Sequence, residues 1–263
     1  MTEILDIPII QLIFAYVFII ILLIIAKYKK VGHKSEIILA TVRMTIQLIL
    51  VGYVLTYIFD NPNPWLVILV LMLMGGFAIQ NIFGRISTEI FSSLKIIIAS
   101  AMIIGTGITI FTFLIGIIRL EPWYLPQYFI PISGMLIGNS MTGISLGTEG
   151  LINGIKDNRP QIENALMMGA RPELTTKEIS NRAFYNAILP TLNSMLGMGI
   201  IFLPGMMTGQ ILAGAPPLTA IKYQIAIMMG ILGSVTITVY IMVHWGAKTF
   251  FNKRCQLKET HEN

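Results

Sequence analysis

Cysteine occurs once in the 263 residues, at Cys255, so no disulfide can form within the chain. That thiol lies in a charged tail, where an idle role is the plainest reading. Charge is scarce as well. Asp, Glu, Lys and Arg make up 12% of the residues, about half the usual share for a soluble domain. The three histidines, His33, His244 and His261, are too scattered to form a metal motif. There is no P-loop and no H-E-x-x-H zinc motif, a hydrolase nucleophile elbow is not expected, and no pair of acids falls inside an apolar run. These absences remove ATP hydrolysis by this chain itself and the common catalytic sets. The chain is expected to be no enzyme and to bind no cofactor of its own. The formal net charge is +5, but no aromatic-basic platform or helix-turn-helix accompanies it, so nucleic acid is not an expected partner.

What the chain has in abundance is apolar sequence. Hydrophobic residues make up 55% of it, gathered into seven segments at about 8–26, 37–59, 65–83, 96–118, 129–146, 188–213 and 220–245. Each is near the roughly 20 residues that cross a bilayer. Backbone groups in hydrocarbon must pair within their own segment, which makes each a helix, and the alternation of a membrane barrel is missing. The expected fold is an all-α, polytopic integral membrane protein. It has about seven transmembrane helices in one domain over 1–263. The stretch Met1 to Asp6 is acidic and lacks the positive start of a signal peptide, so the first apolar run is expected to stay as a helix.

Lys and Arg set the orientation. One side collects Lys27, Lys29, Lys30 and Lys34, then Arg85 and Lys95, then Lys156, Arg159, Arg171, Lys177 and Arg182, and last Lys248, Lys253, Arg254 and Lys258. The other side has Arg119 and Lys222. The first side is read as cytoplasmic, with the N-terminus outside and the C-terminus inside. The expected location is the plasma (inner) membrane of a bacterium, with lipid as a partner. The outer loops are short turns, one with Trp123 and Tyr124 suited to the interface belt. The sizeable soluble element is the cytoplasmic stretch at about 149–185. Inside the second segment, Arg43 and Gln47 share a helix face, and Arg43 is close enough to the cytoplasmic end to snorkel.

The fifth and sixth segments carry the unusual residues. Gly134, Gly138 and Thr142 recur every four residues and offer a face for close helix approach. Asn139 sits among them, and an amide at membrane depth needs a partner, a cavity or a cargo. In the sixth segment Pro204 and Gly205 mark a helix break, and Gly205, Gly209 and Ala213 form a second small-residue stripe. Irregular backbone at this depth is tolerated where it packs on protein or lines a cavity. Asn139, Asn193, Met206, Met207 and Gln210 are therefore candidate pathway residues, with a kinked packing helix as the plainer alternative. The 16 methionines suit soft metals and also fill irregular gaps. Spread over several helices without His or Cys, they read as core filling, and a metal site stays unassigned.

The cytoplasmic stretch holds Glu163-Asn164-Ala165-Leu166-Met167-Met168-Gly169-Ala170, followed later by Ala187-Ile188-Leu189-Pro190. This resembles the coupling-helix motif of ABC transporter permeases, with Asn164 in place of the usual alanine. A helix from Glu163 would run about two turns and stop at Gly169, with Glu163 near the start, where it suits the helix dipole. Arg171 just beyond is available to an acidic rim on a partner. Glu163, Ala165, Gly169 and Arg171 are the expected coupling residues.

A wider resemblance covers nearly the whole chain and is strongest from Tyr128 to Gln224. The runs Ile130 to Gly147, Pro190-Thr191-Leu192-Asn193-Ser194-Met195 and Leu203 to Ala215 resemble the FetB-type iron-export permease family. The resemblance implies a permease that pairs with a separate ABC ATPase and receives ATP through it. It also implies a working unit of two permeases and two ATPases, and a role in iron export and oxidative stress. Plant relatives of that family are linked to aluminium tolerance, with a nucleotide sugar proposed as substrate, so an ABC permease for an organic solute is the alternative. A non-transporting membrane scaffold is a third reading, but it lacks an output domain. A neighbouring reading frame for a stand-alone ATPase would separate the first two from the third.

Overall fold

A computed structural model describes residues 7–29, 34–86 and 91–258. The acidic start at 1–6, Lys30, His33 and His261 lie outside the described residues. Among those described the secondary structure is helical, apart from two isolated bridges. The helices are α1 (Ile9–Ala15), α2 (Val17–Tyr28), α3 (Lys34–Asp60), α4 (Pro64–Arg85), α5 (Ser92–Phe111) and α6 (Pro126–Asp157). After them come α7 (Arg159–Met167), α8 (Pro172–Thr175), α9 (Lys177–Gly197), α10 (Gly205–Leu212) and α11 (Pro217–Thr249). A π-helical turn, Thr112–Ile118, prolongs α5. Prolines at the first turn start α4, α6 and α11, where a missing N–H costs nothing.

Six spans are long and apolar enough to cross a membrane: Ile9–Tyr28, Lys34–Asp60, Pro64–Arg85, Ser92–Ile118, Pro126–Asp157 and Pro217–Thr249. The fold is that of an all-α integral membrane protein, as expected. The remaining apolar segment, 188–213, is not one helix. Helix α9 ends at Gly197, the chain turns through Gly199 at φ 84°, and α10 resumes after Pro204. The interruption thus opens several residues before the proline that the sequence marks. From the last basic residue, Arg182, the stretch 183–197 rises about 22 Å at 1.5 Å per residue. That falls short of the ~30 Å hydrocarbon core, so α9 beyond Arg182 is too short to cross a bilayer alone. The eight residues of α10 add about 12 Å of helix.

The core centres on α6 and α11, each half-buried along its spanning window. Ser140 and Ser234 join them through a fully buried hydroxyl pair at 2.8 Å, a polar contact typical of packed membrane helices. Helices α5 and α9 pack on the same pair. The expected Gly134–Gly138–Thr142 face is close at Gly134, where a Cβ would lie 2.9 Å from the Met74 methyl of α4, and open at Gly138, where a Cβ would touch nothing within 4 Å. Another close approach lies one face over, where Gly143 and Gly147 meet Val235, Val239 and Met242 of α11. In contrast, α1 to α3 lie at the periphery, where Ala26 and Ile58 are the buried positions of those helices. Tyr16 Oη lies 2.6 Å from Thr45 Oγ1 and ties this outer layer together.

The tightest seam is at Gly105. A Cβ there would collide with the Thr238 methyl and lie 3.0 Å from the Thr238 Cα. Overpacking of that kind costs about 1–3 kcal/mol, more than the ~1 kcal/mol of helix propensity gained by alanine. Gly105→Ala is therefore expected to lower the melting temperature in detergent. Gly107→Ala, where nothing lies within 4 Å, is expected to leave it unchanged or raise it. Equal behaviour of the two would contradict this packing.

Candidate functional site

Two places draw residues together. The first is a cavity of about 350 Å3 between α6, α9, α10 and the start of α11. Asn139 lines it from α6, and its Nδ2 donates to the Met135 carbonyl at 2.8 Å. That bond uses one of the two amide hydrogens and leaves the other, with Oδ1, for further contacts. Pro204, Gly205 and Met206 line the cavity at the restart of α10. The break thus serves the cavity: Pro204 has φ −65° and ψ 145°, and its carbonyl accepts from the Thr208 amide and hydroxyl.

Three of the expected pathway residues stand elsewhere. Asn193 is exposed on α9, on a different strip from the lining residues Thr191 and Ser194. Met207 is buried behind the cavity wall. Gln210 is half-buried one turn beyond Met206, and its Oε1 is buried without a hydrogen-bond partner among the described residues.

The cavity also has contributors that the sequence did not single out. Gln224 of α11 is 7% exposed. Its Nε2 lies 3.8 Å from the Met198 sulfur, and its Oε1 is buried without a hydrogen-bond partner among the described residues. Met135, Met198 and Met228 complete a thioether-rich lining with Met206. No lining residue is ionisable, and no group of three His, Cys, Asp or Glu that could hold a metal is found among the described residues. A signal for Gln224 was present: it is an amide near the start of an otherwise apolar segment.

The run Gly143-Ile144-Ser145-Leu146-Gly147 has the letters of a nucleophile elbow, against the expectation of none. It lies within α6, and the Ser145 hydroxyl donates to the Met141 carbonyl at 2.8 Å. A strand-to-helix turn is what the elbow requires, so the match carries no chemistry. His244 is exposed near the end of α11, stacked on Tyr240 at 5.7 Å between ring centroids. Arg43 and Gln47 line a separate groove with Asn81, between α3, α4 and α6.

The second place is the segment between α6 and α9. Helix α7 begins at Arg159, with Pro160 in its first turn, so Glu163 falls mid-helix rather than near the start. There it accepts from Arg159 Nε at 2.8 Å. Such half-exposed pairs contribute about 0.3–0.5 kcal/mol. Gly169, at φ 89°, ends the helix. Its amide donates to the Leu166 carbonyl at 2.9 Å, and that of Ala170 to the Ala165 carbonyl at 3.0 Å. This paired pattern is the Schellman motif, which a glycine in the left-handed region permits. Ile162 anchors α7 in the core, while Met167 and Met168 are 79% and 89% exposed. Arg171 is exposed. Glu163, Gly169 and Arg171 border a groove of about 690 Å3, closed on its far side by the tail residues Arg254 to Leu257. Ala165 does not line it.

The chain matches the family described as an uncharacterised protein family, UPF0014, over residues 9–251. It is 34% identical to the UPF0014 membrane protein YjkA of Bacillus subtilis over 92% of this chain and 95% of that one. It is 33% identical to the protein ALUMINUM SENSITIVE 3 of Arabidopsis thaliana, over 94% and 88%. With the probable iron export permease protein FetB of Escherichia coli it shares 31% identity over 94% and 93%. No solved structure matches. The chain belongs to this family of membrane proteins, and its location is the plasma (inner) membrane.

Proposed function

We propose that this UPF0014 member is the membrane-spanning permease subunit of an ABC exporter, with iron as its cargo. The observation that carries the reading is 31% identity, along 94% of the chain, to a relative described as a probable iron export permease. Three features of the chain support it. It has no P-loop, so work must come from a separate ATPase on the cytoplasmic side. Helix α7 is anchored by Ile162 and presents Met167 and Met168 outward, which suits insertion into such a partner. The turn at 198–203 supplies the third. In this reading the turn lies at membrane depth, and its Ile200 and Ile201 are 91% and 82% exposed. Exposed irregular backbone does not occur against lipid, and a second copy of the permease is the cover we assign to it.

In this reading the cavity at α6, α9, α10 and α11 lies on the transport pathway. Asn139 and Met206 line it. Gln210 and Asn193 act at its outer edge or against the second copy, and the buried Met207 holds α10 in place beside it. Glu163, Ala165, Gly169 and Arg171 pass motion from the ATPase to α6 and α9. Loss of the protein is expected to raise total cell iron under iron load and to sensitise cells to iron with peroxide. Elemental analysis of deletion and complemented strains checks this. Unchanged iron in the deletion would favour an organic solute instead.

A further inference from the structure

The lining of the membrane cavity is chemically selective in a way that the exporter reading does not require. Four of its residues are methionines: Met135 on α6, Met198 at the end of α9, Met206 at the start of α10, and Met228 on α11. They come from four different parts of the chain and meet around one space. Methionine often fills gaps in cores, but these four line about 350 Å3 of unfilled volume. Gln224 is the one deeply buried amide of the lining, at 7% exposed. Its nitrogen end is directed to the Met198 sulfur at 3.8 Å, and its Oε1 is buried without a hydrogen-bond partner. Such an oxygen carries a desolvation cost that a bound cation would relieve. The named lining has no carboxylate, imidazole or thiolate.

We propose that this cavity is a binding site for a soft univalent cation of the Cu(I) or Ag(I) type, held by the thioethers with the Gln224 carboxamide oxygen beside it. Thioethers select soft ions, whereas harder divalent ions favour carboxylate and imidazole. Neutral ligands leave only one positive charge at membrane depth, which a univalent ion satisfies at lower cost than a divalent one. The inference does not rest on iron export. Binding belongs to the permease alone, whereas export needs the ATPase, so the two can fail separately.

The test uses the purified full-length chain in detergent, in a Cys255→Ser background so that the tail thiol cannot bind. Ag(I), and Cu(I) kept reduced by ascorbate, are titrated against a chromophoric chelator, with Fe(II) as the comparison. The expected result is one Ag(I) or Cu(I) per chain, bound more tightly than Fe(II), with sulfur scattering at the copper absorption edge. Met206→Leu and Met228→Leu should each weaken binding by about tenfold or more, since even outer-shell partners are worth roughly that much. Met72→Leu, at an exposed position away from the cavity, should not. Melting curves of each variant separate lost binding from lost folding. No stoichiometric binding by the parent chain, Fe(II) binding as tight as Cu(I), or unchanged affinity in both folded cavity variants would each overturn the proposal.

Discussion

Replacing Gly169 with proline is expected to cut ATP hydrolysis stimulated by the permease by about tenfold, within the usual range for energetic coupling between sites. The reason is local. Gly169 holds φ 89° and donates its amide to Leu166. Proline fixes φ near −65° and has no amide hydrogen. Both halves of the helix stop are lost, and Ala170 and Arg171 leave their places beside the tail residues 254–257. Membrane insertion should be unaffected, because α7 and its stop lie outside the six apolar spans. A paired change, Glu163→Lys with Arg171→Glu, keeps the backbone and the net charge and exchanges the positions of the two charges. Its folding cost is small, since the Arg159–Glu163 pair is half exposed and worth under about 1 kcal/mol. It should also lower stimulated hydrolysis. If both variants copurify with the ATPase and stimulate it as the parent does, α7 and its stop are not the coupling element.

The second large effect is expected at Asn139. One Nδ2 hydrogen is taken by the Met135 carbonyl, and Oδ1 is the end that can meet a cationic cargo in the cavity. Asn139→Leu removes that oxygen and keeps the branched shape and the number of side-chain heavy atoms. A hydrogen bond or ion contact to a charged group is worth about 1.5–3 kcal/mol, so transport should fall by about tenfold or more. The residue is exposed in the single chain, so folding should tolerate the change. Gln210→Leu should impair transport less, because Gln210 stands a turn away from the lining. Transport rates in vesicles, compared with protein level and ATPase binding, check both. Full transport by the two variants would reduce these residues to packing elements.

Much of the fold was legible because membrane helices obey one strong constraint. The segments at 8–26, 37–59, 65–83, 96–118, 129–146 and 220–245 each sit within a span of the structure, since length and hydropathy alone decide them. The segment at 188–213 was harder. Pro204 is a visible break, yet α9 already ends at Gly197. Glycines in a membrane helix are ordinary packing residues, and nothing local says that Gly197 and Gly199 form a turn. Helix α7 was read as starting at Glu163, although Pro160 marks an earlier first turn. A charge at a hypothetical N-terminus was weighed above a proline that fixes one.

The cavity was half legible. Asn139, Pro204, Gly205 and Met206 stood out as polar or irregular positions in apolar runs. Met135, Met198 and Met228 did not, because methionine is unremarkable in each helix taken alone. Their convergence depends on how α6, α9, α10 and α11 pack, and periodicity within one helix carries no information about that. The small residues show the same limit. Gly134, Gly138 and Thr142 share a face by spacing, but only Gly134 of its two glycines is crowded, and the tightest approaches, at Gly105 and Gly154, are set by Thr238 of α11 and Ile179 of α9.

The most direct test is ATP-driven iron movement in inside-out membrane vesicles that contain this chain with its ATPase, either subunit alone, or neither. The account predicts that iron accumulates inside the vesicles only when both subunits and ATP are present, and that Gly169→Pro cuts the accumulation by about tenfold. ATP-independent accumulation, or equal accumulation without the ATPase, would contradict it.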